Sequence, residues 1–148
     1  MMTSPEERLS LLAEYCRERG VPMTAQRRAV FEKVLTHKDH PTAERIYEEV
    51  QTVLPQTSRA TVYRALDTLV EANLVKRIAH PEARTRFDPV TEPHNHLICE
   101  TCGRVEDLEN SESLPDPDLF KIPGWETKQV SILVCGLCPS CRPGSEPA

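Results

Sequence analysis

Apolar residues recur at helical spacing in four stretches of the first half of the chain, and the period then changes to that of extended strands. Leu9, Leu12, Ala13 and Cys16 share one helical face. Ahead of them Ser4-Pro5-Glu6-Glu7 has the form of a capping box with proline at the first helical position, and Gly20 ends the run. Thr24 caps a second predicted helix with an apolar face of Val30, Phe31, Val34 and Leu35. Thr42 caps a third, with Ile46, Tyr47 and Val50, and Ser58 a fourth, with Val62, Ala65, Leu66 and Leu69. After Asn73, Leu74 to Ile78 and Arg84 to Phe87 read as short strands around the turn His80-Pro81-Glu82-Ala83. Three helices followed by a two-stranded hairpin make a winged helix-turn-helix arrangement.

Pro89 to Pro93 reads as a hinge. Beyond it His96 to Cys99 and Val130 to Val134 read as strands, with a loop containing Pro115, Pro117 and Pro123 between them and a disordered tail from Pro143 to Ala148. The expected fold is α+β in two lobes: a winged-helix domain over 1–88, a hinge over 89–93, a small α/β domain over 94–142, and the tail over 143–148.

Composition narrows the function. No run of 18 apolar residues exists, so no membrane span is expected, and residues 1–12 carry acids and no apolar core, so no signal peptide is expected. The default location is the cytoplasm, where six cysteines point to metal ligands rather than disulfides. The net charge of −5 argues against a nucleic-acid partner, but its distribution does not. Residues 1–88 hold 14 Lys+Arg against 13 Asp+Glu, whereas residues 89–148 hold 4 against 10. Within 59–86, six cations (Arg59, Arg64, Lys76, Arg77, Arg84, Arg86) face three acids, and a local basic face is what phosphate contacts need.

Two C-x-x-C pairs stand in the second lobe, Cys99-Glu100-Thr101-Cys102 and Cys138-Pro139-Ser140-Cys141. Each bends the chain so that two thiolates aim at one centre, and together they complete a closed tetrahedral zinc site with no open position, hence a structural one. Gly103 supports the first turn. Cys135-Gly136-Leu137-Cys138 is also C-x-x-C, so the spacing alone leaves Cys135 with Cys138 as an alternative second pair, although a strand should still be running at Cys135. Cys16 belongs to the core.

A second donor set contains no sulfur. His94-Asn95-His96 places two imidazoles on one side of an extended segment, because side chains alternate at period two. Asp88 ends the preceding strand, Asp107 follows the first knuckle, and His40 stands before the third helix in His40-Pro41-Thr42-Ala43. Imidazoles with carboxylates suit Fe(II), Mn(II) or Zn(II) better than a soft metal.

Taken in order, these pieces resemble the ferric uptake regulator family over roughly 8–141. The matching segments are Met23-Thr24-Ala25-Gln26-Arg27-Arg28, His40-Pro41-Thr42-Ala43, Ser58-Arg59-Ala60-Thr61-Val62-Tyr63-Arg64-Ala65-Leu66, Arg86-Phe87-Asp88, His94 to Gly103, and Gly136 to Cys141. The resemblance implies a metal-dependent transcriptional repressor whose first lobe binds operator DNA and whose second lobe forms a homodimer. It implies structural Zn(II) on Cys99, Cys102, Cys138 and Cys141, which decides the Cys135 question for the later pair. It implies a regulatory Fe(II) or Mn(II) on His40, Asp88, His94, His96 and Asp107. Asp at positions 88 and 107, and sparse histidines before the first knuckle, look like the peroxide-sensing branch. In that branch a coordinating histidine, here His40 or His94, is oxidised. Val130 takes the place of a histidine that some members use for a further metal, and no cysteine lies near Asp88, as zinc sensors would have.

On DNA the fourth helix is expected in the major groove. Ser58, Arg59, Thr61, Tyr63 and Arg64 would lie at its start, with Lys76, Arg77 and Arg84 on phosphates of the wing. Other readings are an iron-, manganese- or zinc-responsive uptake repressor of the same family, a zinc-containing thiol redox enzyme, or a zinc-ribbon interaction module. No general base or substrate pocket beside the His/Asp set is evident, so the chain is not expected to be an enzyme.

Overall fold

The computed structural model describes residues 4–80, 83–108 and 116–144. The centre of the expected turn (Pro81, Glu82), Pro115 of the expected loop and the tail from residue 145 lie outside the described residues. The chain divides into two compact units, Met1–Thr91 and Glu92–Ala148.

The first unit is α1 (Pro5–Arg19), α2 (Ala25–Thr36), α3 (Ala43–Val53) and α4 (Arg59–Glu71), followed by β1 (Lys76–His80) and β2 (Ala83–Asp88). All four helices start where their caps are written. Ser4 and Glu7 form a reciprocal capping box, and Thr24, Thr42 and Ser58 accept from the N–H three residues on. α1 stops at Gly20, whose φ of 65° is the left-handed conformation that glycine enters without cost. The helices bury Leu12, Cys16, Val30, Phe31, Val34, Ile46, Val50, Val62, Leu66 and Leu69 in one core, each large side chain contributing roughly 1.5–3 kcal/mol. Ala13, expected on the apolar face of α1, is exposed, while Leu12 and Cys16, four residues apart on one edge of the helix, are buried.

β1 and β2 pair antiparallel, with Lys76 opposite Asp88 and Ile78 opposite Arg86. The first strand starts at Lys76, two residues later than expected. Leu74 and Val75 donate to the Leu69 carbonyl instead, closing the end of α4 with their side chains in the core.

The second unit carries β3 (Asn95–Cys99), β4 (Val105–Leu108) and β5 (Leu133–Gly136) in the order β4-β3-β5, with a 3-10 turn at Pro117–Leu119. β4 is antiparallel and β5 parallel to β3. β4 was not expected: two of its four residues are acids, which are depleted in strands, and it exists by pairing with β3. The last strand runs from Leu133 rather than Val130, because its partner offers a ladder only from His96, opposite Leu133. Val130 therefore lies outside the strand. Cys135 lies on it, as expected. Just ahead of the strand, the buried Asn95 accepts from the Ile132 N–H at 2.9 Å, fixing where pairing begins.

Candidate metal centres and nucleic-acid interface

The parallel pairing of β3 with β5 sets Cys99 opposite Gly136, so both strands run out in the same direction, each into its own knuckle. The first knuckle is closed by the Gly103 N–H donating to the Cys99 carbonyl at 2.9 Å, with Gly103 at φ 70°. The second is closed by the Cys141 and Arg142 N–H groups on the Cys138 carbonyl at 2.9 and 3.0 Å. The sulfurs of Cys99, Cys102, Cys138 and Cys141 lie within 4.8 Å of one another. A tetrahedral zinc with bonds of about 2.3 Å would hold its sulfurs about 3.8 Å apart, and Cys102 Sγ and Cys138 Sγ are 3.8 Å apart. Cys135, exposed on β5, is not in this cluster.

The electrostatics of the cluster call for a cation. Backbone N–H groups of Cys102 and Cys138 aimed at Cys99 lower its thiol to about 6. Hydrogen bonding to Cys138, with burial, pushes Cys141 up to about 12. Four thiols this close do not all ionise unaided; a divalent ion at their centre makes four thiolates compatible.

The sulfur-free donors form one group in each unit. In the first, His40 and Asp88 are 2% and 1% exposed, with His40 Nε2 3.7 Å from Asp88 Oδ2. Asp88 ends β2, and its Oδ1 accepts from the Val90 N–H at 2.8 Å. His40 is brought to it from the α2–α3 loop. Arg86 Nη1 donates to the His40 carbonyl at 3.1 Å, and the Phe87 N–H donates to the Pro41 carbonyl at 3.0 Å.

In the second unit, His96 on β3 stands opposite Asp107 on β4. His96 Nε2 is 3.5 Å and His94 Nε2 3.1 Å from Asp107 Oδ1, and the two imidazole centroids are 4.4 Å apart. His94 Nδ1 lies 2.8 Å from the Glu92 carbonyl. A carbonyl only accepts, so Nδ1 donates to it, and Nε2, on the Asp107 side, is the ring atom that a metal would take.

α4 presents Tyr63, 45% exposed, and Arg64, also exposed, on the side away from Val62, Ala65 and Leu66. Its first turn carries no acid. The other candidates there have internal roles. The Ser58 hydroxyl caps the helix and meets the Thr61 hydroxyl at 2.9 Å, while Arg59 pairs with Glu44 and lies 4.5 Å over the Tyr47 ring. On the hairpin, Arg77 pairs with Asp67 of α4, Lys76 is half-buried and Arg84 is exposed.

Residues 18–134 match the model of the ferric uptake regulator family. The chain belongs to that family. It is 35% identical over 133 residues to the peroxide operon regulator of Bacillus subtilis (strain 168), covering 86% of this chain and 89% of that one. It superimposes on the Campylobacter jejuni peroxide stress regulator with a TM-score of 0.63 at 30% identity, over 90% of this chain and 98% of that one. The Helicobacter pylori ferric uptake regulator shares the fold, with a TM-score of 0.79 at 21% identity over 94% of both chains.

Within this family fold, sequence reasoning had named each donor in both clusters. It missed what holds them: β4 beneath Asp107, the Glu92 carbonyl behind His94, and Arg86 on the His40 carbonyl. The Arg86-Phe87-Asp88 segment carried a signal for the last, since a strand that ends at Asp88 also offers its preceding residues to the neighbouring loop.

Proposed function

We propose that this chain is a metal-dependent, DNA-binding transcriptional repressor of the peroxide-responsive kind. It would act on double-stranded operator DNA as a cytoplasmic homodimer with no enzymatic activity. Cys99, Cys102, Cys138 and Cys141 hold structural Zn(II). His40, Asp88, His94, His96 and Asp107 together hold the regulatory Fe(II) or Mn(II). The observation that carries this reading is the sulfur-free donor set, His40 with Asp88 at the end of the winged helix and His94, His96 and Asp107 on the zinc-bearing unit. Peroxide-responsive relatives in the same family and the absence of a membrane-spanning helix among the described residues support it.

The chain's own residues supply the mechanism. The regulatory donors come from both units, so a single ion held by all five would couple the winged helix to the second unit. Its binding would shift the population towards the arrangement in which the two recognition helices of a dimer match two half-sites. Tyr63 and Arg64 reach base edges, Ser58, Arg59 and Thr61 shape the start of α4, and Lys76, Arg77 and Arg84 meet phosphates. Fe(II) held by these residues would supply the reducing chemistry that activates peroxide, and His40 and His94 would be the imidazoles placed to be oxidised. The test is operator binding by the zinc-loaded protein with Mn(II) and after its chelation. Retention only with Mn(II) supports the reading, and equal binding in both states contradicts it.

A further inference from the structure

His40 sits at φ 52°, in the left-handed region, where a non-glycine residue stays only if its surroundings force it. Downstream the constraint is the pair of hydrogen bonds from Arg86 and Phe87. Upstream, Lys38 and Asp39 form a two-residue bend with no regular structure of its own. Beside that bend stands a charged cluster outside both metal-donor sets.

At its centre is His37, the C-cap of α2, with a side chain 10% exposed. Its Nδ1 is 3.1 Å from Asp39 Oδ1 and its Nε2 2.9 Å from Glu49 Oε2. The ring thus bridges a carboxylate of the bend and a carboxylate of α3. Arg45 of α3 pairs with the other oxygen of Asp39, and its Nε is 3.3 Å from Glu49 Oε1. Two basic and two acidic side chains thus alternate around one ring, tying the end of α2 and the bend to α3. As surface ion pairs, Asp39–Arg45 and Arg45–Glu49 would each contribute little stability. The half-enclosed imidazole common to both carboxylates makes the four a unit.

We propose that His37, with Asp39, Arg45 and Glu49, is a positioning clamp that holds the His40 loop in its metal-binding conformation. This rests on the reading of His40 as a regulatory-metal ligand. The clamp acts by pre-organisation. Released at its upstream end, the loop spends part of its time with His40 relaxed away from Asp88, and apparent metal affinity falls by that fraction. The partners of metal ligands typically act on affinity by ten- to a hundredfold.

The experiment measures Mn(II) binding to the full-length, zinc-loaded protein through the paramagnetic resonance signal of free Mn(II). His37→Ala is expected to weaken binding about tenfold, and Glu49→Gln, which keeps the shape but removes a charge, to weaken it less in the same direction. Zinc content stays at the wild-type level, and saturating Mn(II) restores wild-type operator affinity to both variants, which a purely structural staple would not allow. Wild-type Mn(II) affinity in both variants overturns the clamp, as does a loss of operator affinity that saturating Mn(II) leaves unrepaired. His40→Ala separates the two levels. If it too binds Mn(II) like the wild type, the ligand reading itself falls and the clamp with it.

Discussion

His96 and Asp107 occupy opposed positions on neighbouring antiparallel strands, so that the register of β3 against β4, and not closeness in sequence, puts Nε2 3.5 Å from Oδ1. A one-residue slip would turn Asp107 to the other face of the sheet and remove a carboxylate from both imidazoles.

The first prediction follows from that pairing. Asp107→Ala is expected to raise the Mn(II) concentration needed for operator binding by about tenfold or more, with zinc content unchanged, as measured by gel shift against a Mn(II) titration. Asp107→Glu keeps the charge on a longer arm, so it should bind Mn(II) but respond less to peroxide. An unchanged Mn(II) requirement in Asp107→Ala would remove this residue from the donor set.

The zinc cluster gives the second prediction. Cys99→Ser or Cys141→Ser should lose the tightly held zinc, unfold the second unit and yield monomers, because structural zinc contributes folding free energy directly. Cys135→Ser should keep both zinc and dimer, since Cys135 stands outside the sulfur cluster. Elemental analysis and sizing by light scattering decide it. Zinc lost from Cys135→Ser but kept by Cys141→Ser would reverse the assignment.

How much of this was written in the sequence depends on the range of the interactions. The helices were legible because their caps are local: Ser4, Thr24, Thr42 and Ser58 each act on an N–H three residues away. The cysteine and histidine donors were legible because their chemistry is restricted to few residue types. β4 and the start of β5 were not, because acid-rich Val105–Leu108 and the apolar run before Leu133 become strand or loop only through β3. The His37 cluster was equally hidden, since its partner Glu49 lies on the next helix and nothing in local spacing joins them. Internal roles were missed for the same reason: Arg59 and Arg77 read as free cations in sequence, yet each pairs with an acid on another element.

That pairing shapes the third prediction. Arg64→Ala should weaken specific operator binding much more than binding to random DNA if this exposed side chain reads a base edge, as proposed. Lys76→Ala should weaken both alike and lower the salt slope by about one unit. Fluorescence anisotropy with operator and scrambled duplexes across a salt series separates them. A normal operator footprint from Arg64→Ala would move recognition to other residues.

The most direct test of the central claim compares operator binding by the zinc-loaded dimer carrying Fe(II) or Mn(II), before and after brief exposure to low peroxide, with peptide mass spectrometry on the same samples. The account predicts that the Fe(II) form releases the operator and that His40 or His94 gains one oxygen atom, while the Mn(II) form stays bound and the zinc thiolates remain intact in both. An Fe(II) form that keeps its operator with unmodified histidines would contradict peroxide sensing and leave a metal-responsive repressor of the same family.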